Sequence, residues 1–400
     1  MPLSRRGFLR IVGSREEAFS GALIAARGLE AYYAEQQAPG ARSRPVLPPG
    51  VEEIRINSNE NPLGPGRLAL DAILGKFPEA NRYPFNSSPA DTNLVDAIAA
   101  KYKVKPENVV LGAGSQEILK NAVRAFTSPE RHLVTAAPTF ENCTNTAKKL
   151  KHGLKEIKVD ANFRLDIQPM IDASPGAGLV FFNNPNNPTA TVHGAKTVAD
   201  FVAKVRSLAP QAVILIDEAY HDYVTDPSYE SAIPLALATP NVFVARTFSK
   251  AYGMAGMRIG YAIGRAETIK PLATLKMPYN VSVFGVAAAI ASLDDPQHIA
   301  DERERNTKVR DFTVQALTSL GCKPTESQGN FVFVDIARPA KEFREACAKS
   351  GVMVGRDFPP FEKTHARISI GTMEEMQKAV DVFRNVLRAA TTTAGGKGRF

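Results

Sequence analysis

Residues 242–263 read VFVARTFSKAYGMAGMRIGYAI, with two apolar runs separated by a polar segment that contains glycine. The runs at 242–245 and 259–263 have the length and composition of buried strands. Ser249 and Lys250 follow the first strand closely. Ligands of open parallel sheets bind outside the carboxyl ends of the strands, so Lys250 lies at a candidate ligand-binding position, although a serine–lysine pair by itself is a weak signal.

The same alternation of strands and helices extends along most of the chain. Further strand-like runs lie at 109–111, 133–135, 179–182 and 213–216. Helical patterns lie at 116–125, 195–207 and 267–276. From residue 51 to about 387, this order predicts the α/β class, with a mostly parallel sheet covered by helices on both faces.

The C-terminal part has a different pattern. A long helical region at 284–320 is followed by two predicted strands, 331–336 and 368–370, on either side of a helix at 340–349. A last helix is expected at 373–388. This order predicts a second, smaller α+β unit.

Composition and charge exclude several classes of protein. Of 400 residues, 44% are hydrophobic and 22% are charged, as in ordinary globular proteins. The longest nearly uncharged apolar stretch, 284–293, is too short for a transmembrane helix. The net charge of +8 is not concentrated in a stripe, and segments such as 301–305 (DERER) alternate in sign, so no nucleic-acid partner is predicted. Three dispersed cysteines and six scattered histidines predict no metal site.

The first residues contain a possible targeting signal. Residues 4–10 read SRRGFLR, which resembles the twin-arginine export signal of bacteria, and a weakly apolar run follows at 18–26. We therefore expect a periplasmic or otherwise exported protein. The alternatives are a basic amphipathic arm at the N-terminus and a cytoplasmic location.

Polar residues also follow other predicted strands. Asp217 closes the run 213–216, residues 183–189 (NNPNNPT) follow 179–182, and residues 112–115 (GAGS) open a helix. Each signal alone is weak, because an aspartate at a strand end is often only a helix cap and residues 112–115 lack the third glycine of a dinucleotide fingerprint. The combination and its order carry the prediction.

Three blocks in this order carry a family resemblance. Residues 57–65 (NSNENPLGP), 249–260 (SKAYGMAGMRIG) and 367–372 (RISIGT) resemble the fold-type I pyridoxal-phosphate enzymes, specifically the class I/II aminotransferases of the histidinol-phosphate aminotransferase branch. The resemblance implies a PLP-dependent transferase fold of type I and an aminotransferase with pyridoxal 5'-phosphate as cofactor. A lyase, decarboxylase or cyclase on the same scaffold stays open. A non-enzymatic regulator would need a DNA-binding domain, and the leader at 1–44 is too short to contain one.

Composition and the resemblance together divide the chain. Composition and the motif at 4–10 predict a leader with a linker at 1–44 and a disordered, glycine-rich tail at 391–400. Between them, the predicted segments are an N-terminal arm at 45–68, a large domain that binds the cofactor at 69–285 and a smaller C-terminal domain at 286–390.

The resemblance assigns catalytic roles to residues at the strand ends. Lys250 would form the Schiff base with the cofactor and later move a proton, which requires a lowered pKa. Asp217 would pair with the pyridine nitrogen and keep it protonated. Tyr220 and Asn187 would bind the 3′-oxygen, and Phe140 would stack against the ring.

The cofactor phosphate needs N–H groups and positive charge. In the resemblance, Ser115 and Gln116 supply the amides of a helix N-terminus. Ser249 and Arg258 complete the phosphate site, with Thr247 nearby.

Further residues are assigned to the substrate and to a second subunit. Arg367 would bind the substrate carboxylate, and Asn187 and Arg356 would also contact the substrate. Tyr83 resembles the tyrosine that reaches the phosphate in the neighbouring subunit, which implies a homodimer with a shared active site. The expected partners are an amino donor and a 2-oxo acid acceptor.

The chain also departs from the family pattern. Ala190 replaces the glycine of Asn-Pro-Thr-Gly, and Phe140 stands where histidinol-phosphate enzymes usually have tyrosine. The segment 355–361 (GRDFPPF) differs from the usual segment that carries a second arginine. We therefore expect the substrate to be an amino acid or a related amine, such as an amino-alcohol phosphate, other than histidinol phosphate itself.

Overall fold

The structure is a computed structural model that describes residues 53–84 and 90–394. The predicted leader at 1–44 and its twin-arginine motif lie outside the described residues. The described residues belong to one compact unit. The limits of the predicted arm and domains therefore stay predictions.

The described part of the chain contains twelve strands. They are β1 (Ile54–Ile56), β2 (Val109–Ala113), β3 (His132–Ala137), β4 (Leu154–Lys158), β5 (Ala177–Asn183), β6 (Val213–Asp217), β7 (Val242–Thr247), β8 (Ile259–Gly264), β9 (Lys323–Pro324), β10 (Phe331–Asp335), β11 (Val352–Val354) and β12 (His365–Ser369).

The same part of the chain contains twelve α-helices. They are α1 (Arg67–Gly75), α2 (Ala90–Tyr102), α3 (Ser115–Phe126), α4 (Asn142–Leu150), α5 (Ile167–Asp172), α6 (Ala195–Leu208), α7 (Ile233–Ala238), α8 (Ala266–Leu275), α9 (Val283–Leu293), α10 (Pro296–Ser319), α11 (Ala340–Lys349) and α12 (Met373–Ala394).

The large sheet has seven strands in the order β2-β8-β7-β6-β5-β3-β4. The pairs between β7 and β4 in this order are parallel, and β8 runs antiparallel to both β7 and β2. Every residue of β5, β6 and β7 is buried, as expected for central strands with helices on both faces. The predicted α/β fold with a mostly parallel sheet is confirmed.

Two small sheets lie in the C-terminal part of the compact unit. β10 pairs antiparallel with β12 and β9, and β1 from the start of the described chain pairs in parallel with β11. A separate apolar core that contains Ile56, Val332, Phe343 and Phe383 lies behind these strands. Residues near 54–59 are thereby held beside the C-terminal strands.

The structure adds detail to one helical prediction and corrects another. The long helical region predicted at 284–320 consists of two helices, α9 and α10, because the Asp295 side chain accepts a hydrogen bond from the backbone N–H of His298 and Pro296 starts α10. The last helix continues to Ala394 and so covers the first four residues of the predicted disordered tail. Among the described residues, no helix is long and apolar enough to cross a membrane.

Candidate active site

Three neighbouring strands of the large sheet end at the candidate site. β5, β6 and β7 are parallel, and their last residues are Asn183, Asp217 and Thr247. Asn183 and Asp217 lie opposite each other in the ladder. The sheet thus brings residues from three distant segments to one edge, as the sequence predicts.

Lys250 lies just beyond β7. Its Nζ atom donates hydrogen bonds to the backbone oxygens of Asn59 at 3.0 Å and Ser58 at 3.2 Å. Burial, reinforced by the charges of Arg367 and Arg258, lowers the pKa of Lys250 to about 8. This amine is therefore much closer to neutrality at physiological pH than a surface lysine.

Asp217 is buried, with only 2% of its surface exposed, and its Oδ1 atom has no hydrogen-bond partner in the structure. Burial raises its pKa to about 7, with a further contribution from Glu218, although the backbone N–H of Ala219 and the charge of Lys250 oppose the rise. A cationic hydrogen-bond donor at Oδ1 would lower the pKa of this buried carboxyl group and so favour its ionised form.

A hydrogen-bonded group surrounds the hydroxyl of Tyr220. This oxygen accepts hydrogen bonds from the Nδ2 atoms of Asn59 at 3.1 Å and Asn187 at 3.4 Å. Burial raises the pKa of Tyr220, so the hydroxyl keeps its proton. Both of its acceptor positions are used inside the protein, which leaves the O–H free to donate to a ligand.

Arg367, on β12, extends the same group. Its Nη1 atom donates to Oδ1 of Asn187 at 2.8 Å, and its Nη2 atom donates to the backbone oxygen of Asn57 at 2.7 Å. The Nε atom is buried without a partner, and burial lowers the Arg367 pKa to about 10. Because no carboxylate of the described residues is bonded to it, this guanidinium is suited to bind an anion.

A second cationic group lies at the start of α3. Arg258 donates through Nη1 to Oγ of Ser249 at 3.4 Å and through Nη2 to the backbone oxygen of Ala113. Gly114 has φ +70°, and a Cβ atom at this position would collide with the Arg258 guanidinium. Thr247 donates to Ser249 at 3.0 Å. Ser115 begins the helix, whose first N–H groups have no intrahelical acceptors.

The remaining predicted residues lie around this centre. Phe140 is half-buried against the core beside the large sheet, and Gln116 is exposed on the first turn of α3. Tyr83 is 64% exposed and stacks on Tyr279, with ring centroids 4.6 Å apart. Among the described residues, no hydrogen bond or ring contact connects Tyr83 to another predicted site residue.

Arg356 is also close to the centre. Its guanidinium forms a bidentate ion pair with Glu141, with Nη1 2.6 Å from Oε1. It also lies 4.2 Å from the ring centroid of Phe358, and the Arg367 guanidinium lies 4.8 Å from the same centroid.

Sequence reasoning missed several residues of this site. Asn59 bonds Tyr220, and its own backbone N–H and side chain are both held by Ser369. Phe358 lies close to the guanidiniums of Arg356 and Arg367, and Glu141 forms an ion pair with Arg356. The asparagine-rich block at 57–61 was a signal for Asn59, whereas nothing local in the sequence indicates the role of Phe358.

Comparison with known proteins identifies the family. The family model for aminotransferase class I and II matches residues 51–383. The chain belongs to the class I and II aminotransferases. It is 36% identical over 349 residues to a histidinol-phosphate aminotransferase of Moorella thermoacetica, with 84% of this chain and 86% of that protein covered. The Bacillus subtilis histidinol-phosphate aminotransferase is 32% identical over 335 residues, covering 84% of this chain and 91% of the relative.

A solved structure agrees with this membership. The crystal structure of histidinol-phosphate aminotransferase from Sinorhizobium meliloti, in complex with pyridoxal-5'-phosphate, superimposes with a TM-score of 0.78. The two sequences are 26% identical, and the match covers 85% of this chain and 92% of the other. The prediction of a fold-type I, pyridoxal-phosphate-dependent aminotransferase is confirmed.

Proposed function

We propose that this aminotransferase moves the amino group of an amino acid to a 2-oxo acid at the site built from Lys250, Asp217, Tyr220, Asn187 and Arg367. The observation that carries the proposal is that one connected group of side chains links an anion-binding guanidinium to a lysine with a lowered pKa. Arg367 bonds Asn187, Asn187 bonds Tyr220, and the Lys250 Nζ lies 5.5 Å from the Tyr220 ring centroid.

The residues present fit pyridoxal phosphate. The unpartnered Oδ1 atom of Asp217 would accept from the protonated ring nitrogen, and the Tyr220 O–H would donate to the ring oxygen. The phosphate would be held by Ser115, Gln116, Ser249 and Arg258, with Thr247 behind them. When bound, the cofactor supplies a carbonyl carbon that reacts with amines and a ring that accepts electrons.

The protein's own part in the reaction is proton transfer and positioning. With a pKa of about 8, the Lys250 Nζ can take a proton from the substrate Cα and give one back. Arg367 fixes the substrate carboxylate, so that the Cα–H bond faces this amine. A substrate that keeps its carboxylate favours amino transfer over decarboxylation.

We also propose that a second copy of the chain completes the site. Tyr83, Phe77 and Met277 expose large side chains on one face, at 64%, 59% and 69%. A cleft of about 580 Å³ beside Phe77 and Tyr279 reaches Arg258, so the apolar face continues into the phosphate cradle. A homodimer would cover this face, and Tyr83 would reach the phosphate held by the partner subunit.

The motif SRRGFLR at 4–10 supports a proposal about location. We propose that it directs export through a twin-arginine pathway. Such a route carries folded proteins, so the enzyme would leave the cytoplasm with its cofactor bound.

An amino-donor screen tests the proposed function. Purified holoenzyme is incubated with single amino acids and, separately, with histidinol phosphate, and the change in the cofactor spectrum and the pyridoxamine phosphate formed are measured. Conversion by at least one α-amino acid is expected. Conversion by histidinol phosphate alone would contradict the amino-acid substrate, and release of carbon dioxide in place of the 2-oxo acid would contradict amino transfer.

A further inference from the structure

The Glu141–Arg356 ion pair joins two distant segments at the edge of the site. Glu141 follows Phe140 in the loop after β3, and Arg356 lies in the loop after β11. Both side chains are partly exposed, at 31% and 51%. The pair therefore closes one side of the site without being buried in the core.

Phe358 connects this pair to the carboxylate site. Its ring is fully buried and contacts both guanidiniums, with its centroid 4.2 Å from Arg356 and 4.8 Å from Arg367. Arg356 and Glu141 are close enough for their charges to act on Arg367 in opposite directions. A substrate whose carboxylate binds Arg367 would thus lie next to the Phe358 ring and near the ion pair.

The charges at these positions differ. In the described part of the chain, Arg367 has no carboxylate bonded to it, whereas the charge of Arg356 is neutralised by two hydrogen bonds to Glu141. An acid group at the far end of a substrate would have to displace Glu141 from Arg356 and would then lie beside the displaced carboxylate. A neutral side chain meets neither cost, and Phe358 offers it an apolar surface.

We propose that Glu141 is a specificity-determining residue that selects against substrates with a second acid group by keeping Arg356 neutralised. The proposal rests on the proposed amino transfer with Arg367 as the carboxylate site. The favoured substrate class is amino acids with one carboxylate and an uncharged side chain.

A pair of unreactive ligands tests the proposal by equilibrium binding. Glutarate and pentanoate have the same five-carbon chain and differ in the second acid group. Dissociation constants for holoenzyme are measured by calorimetry for the wild type and for Glu141→Gln. The ratio of the glutarate dissociation constant to the pentanoate dissociation constant should fall about three- to tenfold in the variant. The reason is that Glu141, from a half-exposed ion pair, no longer competes with the second carboxylate of glutarate for Arg356.

Two further variants separate this role from a structural one. In Glu141→Gln/Arg356→Gln the gain for glutarate should disappear, because the released guanidinium is absent. Glu156→Gln removes one carboxylate from another half-exposed pair, with Lys148 at 3.0 Å, and should leave the ratio unchanged. A ratio that is the same in the wild type and Glu141→Gln, or a gain that persists in the double variant, would overturn the proposal.

Turnover of an amino acid with a second acid group, compared with one without it, distinguishes the proposed amino transfer from the proposed role of Glu141. Glutamate and norvaline have equal chain lengths, and KM for glutamate relative to norvaline should fall in Glu141→Gln by a similar factor. If the wild type converts neither these nor any other amino acid, the proposed function fails. If it converts them and the relative KM does not respond to Glu141→Gln, only the role of Glu141 fails.

Discussion

The Nη1 atom of Arg367 donates to the Oδ1 atom of Asn187 at 2.8 Å, across 180 residues of sequence. The amide nitrogen of the same asparagine donates to the Tyr220 hydroxyl, so this single side chain fixes both the guanidinium and the phenol. In the proposed function, carboxylate binding and the orientation of the ring-oxygen donor would thereby be coupled. The coupling would position the substrate carboxylate, and with it the reacting Cα to which it is bonded, relative to that donor.

Arg367→Lys should lower kcat/KM for amino acids by about 100-fold, mainly through KM. The ammonium cannot bond Asn187, the Asn57 carbonyl and a substrate carboxylate in the same fork geometry, and losing one partner of a buried charged contact typically costs 2–5 kcal/mol. Steady-state kinetics measure the effect. Arg338→Lys is the matched control, because Arg338 also donates to two backbone carbonyls but lies next to α12. The kcat/KM of this control variant should stay at the wild-type value.

Asp217→Asn should make the cofactor-free protein more stable, increasingly so as pH rises. The Asp217 pKa is about 7 in the folded protein against 3.8 unfolded, so the folded state holds a proton that the unfolded chain releases between these values. Wild-type stability therefore falls as pH rises from about 4 to 7, by up to about 4 kcal/mol, and this loss is absent in the variant.

Denaturant titrations of both cofactor-free proteins at pH 5 and pH 8 check this prediction. The advantage of the variant should grow by about 3 kcal/mol between the two values. Asp200→Asn, which removes an exposed carboxylate paired with Lys196, serves as the control and should show no such growth. An advantage of Asp217→Asn that is independent of pH would contradict the pKa assigned to this carboxyl group.

Mixing two impaired variants should restore activity if Tyr83 serves the partner subunit. Lys250→Ala lacks the reactive amine and Tyr83→Phe lacks the hydroxyl, and a mixed dimer has one site with both groups intact. After subunit exchange at equal amounts, about a quarter of the wild-type rate is expected above the parents, because half of the dimers are mixed. No recovery in exchanged dimers, with an impaired Tyr83→Phe parent, would argue against the shared site.

Replacing both Arg5 and Arg6 by Lys should keep the enzyme in the cytoplasm. The change preserves charge but removes the guanidinium groups that an export receptor would recognise. Cell fractionation and the specific activity of each fraction measure the result, and the specific activity of the enzyme should not change. Wild-type protein found wholly in the cytoplasm with its first residues intact would exclude export.

Much of the site could be predicted because strands place residues in a regular way. Lys250 and Asp217 follow continuous apolar runs, and the carboxyl ends of parallel strands converge at one edge. The edge strand β4 was missed because its sequence, LKEIK, is polar and mostly exposed, which is typical of an edge and not of a buried strand. β1 has only three residues, too few to show a period.

Contacts between distant loops could not be predicted in the same way. Asn59 and Tyr220 are 161 residues apart, and Glu141 and Arg356 are 215 apart. Neither pair lies within one element, so no helical or strand period relates the two positions. They meet because β1 pairs with β11 and because the C-terminal strands pack beside the large sheet, which depends on the complete fold.

The most direct test of the account is the site of cofactor attachment. Holoenzyme is reduced with borohydride and digested, and the peptide that carries the added cofactor mass is sequenced by mass spectrometry. We expect the cofactor on Lys250 alone, with amino transfer abolished in Lys250→Ala although this variant still binds pyridoxal phosphate through the cradle at Ser115 and Arg258. Attachment to another lysine, or amino transfer at the wild-type rate by Lys250→Ala, would contradict the central claim.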